Sequence, residues 1–225
     1  MINLFCELKL RQHIESNLSS WQRISPSSAK ENPGNLRRAA VALCVVDYKQ
    51  LSGMEGLIPV PAESAALILT RRSKTLKNHP GQWALPGGRV ESGENATQAA
   101  LRELSEEVGL SLTADRVLGS LDDFITRSGF IITPVIVWGG PDVCLQKNDN
   151  EVSSLHRIPC LEFLREDAPV LKTAGRSKSP ILFMPVGTTW IAAPTAAILY
   201  QFREVALLGR NTRVGHYEQP AFAWR

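Results

Sequence analysis

The sequence has few cysteines and no long apolar run, and both absences exclude classes of protein. Its four cysteines lie far apart, without a Cys-X-X-Cys pair, so neither a zinc site nor a disulfide framework is predicted. No segment approaches the roughly 20 consecutive apolar residues of a membrane-spanning helix. The amino-terminal segment also lacks the apolar centre of a signal peptide. We therefore expect a cytoplasmic protein that does not contact a membrane.

The sequence also carries little net charge. A formal charge of +3 is too small to indicate a nucleic-acid partner, and we expect none. What is present is an ordinary globular composition, with 44% of the 225 residues hydrophobic and 21% charged. That composition supports one large core. It leaves a homodimer open and leaves the partner to be identified from the site.

The apolar pattern predicts a mixed α/β fold. Residues 3–20 have helical spacing and are followed by a cluster of Ser, Pro, Gly and Asn, which indicates a helix and then a linker. We interpret residues 1–36 as a helical extension with its linker and residues 37–225 as the compact domain. Short Val- and Ile-rich runs at residues 39–46 and 65–70 predict buried strands. Residues 195–208 predict a last amphipathic helix, preceded by Pro194.

Residues 95–108 form the best-defined helix of the sequence, with Asn95 as N-cap and Gly109 as C-cap. Glu103, Glu106 and Glu107 stand at i, i+3 and i+4, so one helix face presents three carboxylates. Like charges so close repel one another, and a bound cation would relieve the repulsion. Mg²⁺ or Mn²⁺ suits such a set, because hard cations prefer oxygen ligands.

A short, side-chain-poor turn precedes this helix. Pro86, Gly87 and Gly88 allow backbone groups to approach a metal ion or a phosphate closely. Three acids on a helix are by themselves more often an ordinary solvated face than a metal site. The spacing of the surrounding residues decides between these interpretations.

Residues 88–110 resemble the Nudix box: Gly, five residues, Glu, seven residues, then Arg-Glu-apolar-any-Glu-Glu-any-Gly-apolar, with agreement at every specified position. A chance match in a chain of this length is on the order of one in a million. The resemblance implies a diphosphate-cleaving enzyme with an α/β/α sandwich and a mixed sheet, here with helical additions at both ends. It further implies metal binding by Glu103, Glu106, Glu107 and the Gly88 carbonyl, orientation of Glu103 by Arg102, and a structural role for Glu94.

Residues 68–88 resemble a second pattern, the signature of the coenzyme A diphosphatase branch of that family. The signature reads Leu-Leu-Thr-any-Arg-Ser, then a basic residue, then Gly, then Phe-Pro-Gly-Gly. This sequence departs from it with Ile68, Lys77 and Leu85. The resemblance implies hydrolysis of coenzyme A or its thioesters to 3′,5′-ADP and (acyl-)4′-phosphopantetheine.

The basic residues of this segment suit a substrate with an additional 3′-phosphate, although basic surface loops without a ligand are common. Glu151, in a polar loop, is either a metal ligand or catalytic base, or equally a plain surface residue. We interpret His156, His216, Tyr217 and Trp224 as packing residues. The predicted substrate-binding residues are Arg71, Arg72, Ser73, Lys77 and Gly87, with Arg72 the strongest candidate.

Two alternatives to coenzyme A hydrolysis stay open. The first is a Nudix hydrolase of another nucleoside diphosphate derivative, such as ADP-ribose, a dinucleotide or a nucleoside triphosphate. The upstream basic signature disfavours it. The second is a catalytically silent Nudix domain that binds nucleotides as a sensor. The intact acidic residues disfavour that one.

Overall fold

A computed structural model describes residues 2–25, 36–49, 54–75, 80–173 and 179–220 of the chain. Its helices are α1 (Leu8–Ser19), α2 (Ala96–Val108) and α3 (Thr195–Gln201), and α3 continues into a π-helical turn, Phe202–Leu207. The strands are β1 (Arg37–Asp47), β2 (Ala65–Arg72), β3 (Trp83–Ala84), β4 (Gly87–Arg89), β5 (Val117–Ser120), β6 (Phe124–Ile125), β7 (Phe130–Gly140), β8 (Val152–Pro159), β9 (Val170–Lys172), β10 (Ile181–Val186) and β11 (Thr189–Ala192).

The main sheet contains parallel and antiparallel pairs, and strands β1 and β2 diverge within it. Strand β1 runs parallel to β7 and antiparallel to β2, but its pairing with β2 covers only the last residues of β1. The segment β3–β4 fills the gap: β3 pairs with the end of β2, and β4 pairs with the beginning of β1. Strand β8 covers the other edge of β2. The Pro-Gly-Gly turn is therefore held inside the sheet.

Alternate residues of each strand point to two separate cores, as the two-residue period of a strand requires. On β2, Ile68 packs in the core beneath α2, whereas Leu67 and Leu69 pack on the opposite face with α1 and α3. The antiparallel sheet β9–β10–β11 lies on that second face, and its Leu182 and Met184 join the same core. The expected mixed α/β class, with helices on both sides of a large sheet, is confirmed.

Helix α1 is integrated with the carboxyl-terminal helix. Its Leu10 and Ile14 are buried in the second core, and the Asn17 side-chain amide donates to the Ala206 carbonyl over 2.9 Å. Leu8 is 65% exposed, so the buried face of the helix is formed by Leu10 and Ile14. The division at residues 36 and 37 stays a prediction.

Other differences are local. The carboxyl-terminal helix is α-helical only through Gln201 and then widens into the π-helical turn. Strand β8 is followed by a 3₁₀ turn, Cys160–Leu164. Among the cysteines, Cys144 is exposed and the other three are buried. Within the described ranges, no helix is both long and apolar enough to cross a bilayer.

Candidate active site

Helix α2 forms the base of the site and begins and ends as its sequence predicts. The Asn95 side chain accepts from the Gln98 amide, and the Gln98 side chain accepts from the Asn95 amide, which forms a capping box. Gly109 ends the helix in the left-handed conformation at φ 69°. Buried Leu104 and Val108 pack against the sheet. The helix is thereby fixed at both ends and along its apolar face.

Three carboxylates from two elements meet beside this helix. One oxygen from each of Glu103, Glu107 and Glu151 lies within 4.8 Å of the others. Glu151 enters from the loop before β8, where its carbonyl accepts a hydrogen bond from the Ser73 amide over 2.8 Å. The structure therefore places Glu151 in the acidic cluster and links its backbone to the end of β2.

The glycine turn makes room for these acids. A Cβ atom on Gly88 would stand 2.1 Å from Oε1 of Glu103, and one on Gly87 would stand 2.4 Å from the Ala40 carbonyl oxygen. Neither contact is sterically allowed. The Gly87 backbone also forms a hydrogen bond with the Glu107 carboxylate. Glycine is required at Gly88 because the Glu103 carboxylate occupies the space of a side chain, and at Gly87 because strand β1 occupies it.

The electrostatics of the cluster are those of a site for a cation. Burial, reinforced by the Glu103 and Glu151 charges, raises the pKa of Glu107 to about 8, although Arg72 and the Gly87 hydrogen bond act in the opposite direction. Burial also raises the pKa of Glu103 against the influence of Arg102. Protein groups therefore leave the negative charge incompletely balanced. An all-oxygen donor set of this kind fits Mg²⁺ or Mn²⁺.

Arg102 connects the acids on the outer side of α2. Its Nη1 donates to Glu103 Oε1 over 2.9 Å and to Glu106 Oε2 over 3.0 Å, and its Nη2 donates to Glu94 Oε1 over 2.9 Å. The Glu106 side chain is 53% exposed. Residues 106 and 107 are separated by about 100° around a helix. Glu107 therefore faces the buried cluster, whereas Glu106 lies at its rim beside Arg102.

The two neighbouring arginines of β2 point to opposite faces of the sheet. Arg72 lies on the α2 face, close enough to Glu107 to lower its pKa. The Arg71 guanidinium stacks over the Trp83 ring at 4.0 Å from the ring centroid and donates to the Gly81 carbonyl over 3.1 Å. The predicted contributions of Arg71 and Arg72 to substrate binding therefore come from different surfaces.

The remaining residues named from the sequence lie outside the acidic cluster or outside the described residues. Ser73 is buried, and its hydroxyl is 2.8 Å from the Thr75 hydroxyl. Lys77 and Trp224 lie outside the described residues. His156 packs edge-on against Trp83 at 4.9 Å between ring centroids. His216 and Tyr217 pack on each other at 4.2 Å between ring centroids.

Trp83 and Trp190 were not predicted as site residues, and both line a cavity on the second face of the sheet. Helical or strand periodicity carries no sign of a cavity that forms between two sheets. The nearest available signal was the two tryptophans themselves, since large aromatic residues are common where ligands bind.

Comparison with known proteins gives one consistent result. The model of the NUDIX domain matches residues 56–174. The protein named "Uncharacterized Nudix hydrolase NudL" of Yersinia enterocolitica is 39% identical over 111 residues, covering 48% of this chain and 57% of that protein. The protein of the same name in Enterobacter sp. is 33% identical over 154 residues, which cover 68% of this chain and 72% of that protein.

Solved structures of similar shape carry related names. The "MutT/nudix family protein" from Enterococcus faecalis is 16% identical, with a TM-score of 0.46, covering 83% of this chain and 62% of that one. The "MUTT PROTEIN" from Methanosarcina mazei is 18% identical, with a TM-score of 0.42, and the match covers 64% of this chain and 84% of that one.

Proposed function

Because this chain belongs to the Nudix hydrolase family, we propose that it hydrolyses coenzyme A or its thioesters to 3′,5′-ADP and (acyl-)4′-phosphopantetheine. The observation that carries the proposal is the cluster of Glu103, Glu107 and Glu151 within 4.8 Å. It lies beside the glycine turn, with Arg72 on the same face of the sheet. A diphosphate at the cluster would have acidic metal ligands within reach, and Arg72 would face the 3′-phosphate of the same substrate.

The residues that would hold Mg²⁺ or Mn²⁺ are Glu103, Glu107 and the Gly88 carbonyl, with Glu106 at the rim. A bound divalent cation neutralises diphosphate charge and lowers the pKa of water toward the working pH. The side chains around it have separate tasks. Arg102 holds Glu103 in place through its hydrogen bond, and Gly88 leaves the space that the Glu103 carboxylate occupies.

We assign the general base to Glu151. Glu107 is buried and the Glu103 side chain is only 12% exposed, whereas Glu151 is partly exposed and can meet a water molecule from solvent. In the proposed step the water oxygen forms a bond to one diphosphate phosphorus, and the bridging P–O bond breaks. Glu151 takes the proton of the water, and the leaving phosphate keeps the electron pair.

The choice of coenzyme A is supported by residues 68–88. Thr70, Arg72, Ser73 and Gly81 match the coenzyme A signature, and Arg72 lies on the face of the acidic cluster. Coenzyme A differs from ADP-ribose and from most dinucleotides by its 3′-phosphate. A charge-assisted hydrogen bond from an arginine would recognise that group.

A substitution of Arg72 tests this recognition. We expect Arg72→Ala to raise KM for coenzyme A by about tenfold, because a hydrogen bond between charged groups contributes about 1.5 to 3 kcal/mol. The KM for dephospho-coenzyme A should change much less. Arg11→Ala on α1, on the opposite face of the sheet, is the matched loss of one cation. Equal effects of Arg72→Ala on both substrates would reject the 3′-phosphate contact.

A panel of substrates tests the activity itself. Coenzyme A, acetyl-coenzyme A, ADP-ribose, a dinucleotide and a nucleoside triphosphate are incubated with Mg²⁺ or Mn²⁺, and the products are separated by chromatography. We expect the highest kcat/KM for coenzyme A or its thioester. A higher value for ADP-ribose would contradict the proposed substrate, and no turnover of any compound would favour a nucleotide sensor.

A further inference from the structure

The cavity lined by Trp83 and Trp190 has a volume of about 290 Å³ and lies on the face of the sheet opposite α2. One wall carries Arg71 and Trp83, and the other carries Phe183 and Trp190 of the small sheet. Arg71 and Trp83 occupy positions that the coenzyme A signature leaves unspecified. Strands β10 and β11 lie beyond residue 174, where the family match ends. Of the described residues that line the cavity, the two sequence patterns specify only Gly81.

The walls present flat surfaces whose orientation is fixed. The Arg71 guanidinium is held between the Trp83 ring, at 4.0 Å from its centroid, and the Gly81 carbonyl. The Trp190 ring stands edge-on to Phe183, at 6.0 Å between ring centroids. Trp190 is nevertheless 47% exposed. A large aromatic ring in this position offers a stacking surface to a ligand.

The cavity also has positive charge on both sides. The Lys172 ammonium lies 4.3 Å from the Trp190 ring centroid, and Arg71 carries several N–H donors in a planar group. Nucleobases stack on aromatic rings and on arginine planes, and nearby cations favour the phosphate that accompanies them. The volume suits a base or a nucleoside, since it lies just below the roughly 300 to 1,000 Å³ of sites for whole drug-sized ligands.

We propose that this cavity is a subsite for the nucleobase of a nucleotide, formed by Arg71 stacked on Trp83 and by Trp190. Arg71 and Arg72 are adjacent at the end of β2, with their side chains on opposite faces of the sheet. The inference rests on the proposed function, because the base belongs to the nucleotide half of the substrate. It extends that function because the base would be recognised on one face of the sheet and the diphosphate would be hydrolysed on the other.

The test is nucleotide binding to the full chain in EDTA, measured by isothermal titration calorimetry with AMP, 3′,5′-ADP and ribose 5-phosphate. We expect both nucleotides to bind more tightly than ribose 5-phosphate, which lacks the base. Trp190→Ala should weaken AMP binding by about tenfold, as expected for the loss of one stacking partner. Because Trp190 is half exposed, its removal should leave the circular dichroism spectrum unchanged.

Phe5→Ala is the matched control, since Phe5 is 44% exposed and lines a different cavity. It should bind AMP as the unmodified protein does. Equal AMP affinity in Trp190→Ala, or no preference for AMP over ribose 5-phosphate, overturns the subsite. Hydrolysis of coenzyme A is measured on the same preparations. A protein that binds AMP through Trp190 but leaves coenzyme A intact contradicts only the proposed substrate, and the reverse result contradicts only the subsite.

Discussion

Two buried carboxyl groups of this protein have opposite electrostatic surroundings. Asp47, 3% exposed, is paired with Arg157, itself 5% exposed, and the same guanidinium donates to the Asp47 carbonyl over 2.9 Å. Glu107, 5% exposed, has Glu103 and Glu151 as its neighbours. The first group is neutralised within the protein. The second group lies among carboxylates of the same charge.

The difference separates a structural carboxylate from a functional one. Removing charges from water is costly, and the cost is offset only by a partner and by satisfied hydrogen bonds. Asp47 has both, since the Asp142 amide also donates to its Oδ2 over 3.0 Å. Glu107 has a pKa of about 8 because the compensation is incomplete. The fold stabilises Asp47 by itself, whereas the ionised form of Glu107 requires a cation from outside.

The largest expected effect comes from removing the charge of Glu107. We expect Glu107→Gln to lower kcat by about a thousandfold, as for the loss of one strong electrostatic contact in a transition state. The free energy of unfolding in EDTA should stay the same below the pKa of Glu107, where the carboxyl group is already neutral, and increase above it, where the glutamine avoids a buried charge. Steady-state kinetics and urea denaturation measure the two quantities. Normal turnover in this variant would remove Glu107 from the catalytic site.

The converse effect is expected at Asp47. Asp47→Ala leaves the Arg157 charge buried without its partner, and we expect the free energy of unfolding to fall by about 3 kcal/mol. In protein that is still folded, kcat should change little, since Arg157 contacts Asp47 and Val143. Urea denaturation provides the first measurement and steady-state kinetics the second. A loss of kcat without a loss of stability would invalidate the distinction between the two groups.

Per pH unit, the smallest expected effect is the dependence of stability on pH. In EDTA the folded state keeps a proton on Glu107 up to a pKa of about 8, whereas the ordinary value of 4.5 applies in the unfolded chain. Between these values the folded state binds more protons, so the free energy of unfolding decreases as pH rises. The slope is at most about 1.4 kcal/mol per pH unit, the limit for one proton.

Thermal unfolding between pH 5 and pH 8 measures this dependence, with Glu107→Gln as the control that lacks the titrating group. Excess Mg²⁺ should reduce the loss of stability, because a cation at the cluster favours the ionised carboxylate. The affinity for Mg²⁺ should increase with pH over the same window. A stability profile identical in the parent protein and in Glu107→Gln would show that Glu107 does not carry the proton.

Local sequence was sufficient for the elements that carry the chemistry. The capping residues Asn95 and Gly109 fixed helix α2, because each cap acts within one helical turn. Gly87 and Gly88 were recognised as a close-approach turn for the same reason, since glycine alone lacks the atom that would collide. The helix, the turn and the mixed α/β class needed only neighbouring residues.

Tertiary structure decided which of these residues meet. Glu151 is more than 40 positions beyond Glu107 and joins the cluster only because β8 pairs with β2. Glu106 was expected beside Glu103 and Glu107 but lies at the rim, and the third carboxylate of the cluster is that of Glu151, from a different element. Trp83 and Trp190 form one cavity because two sheets pack together. Spacing along the chain specifies local geometry, whereas proximity across strands depends on register and packing, which no short segment contains.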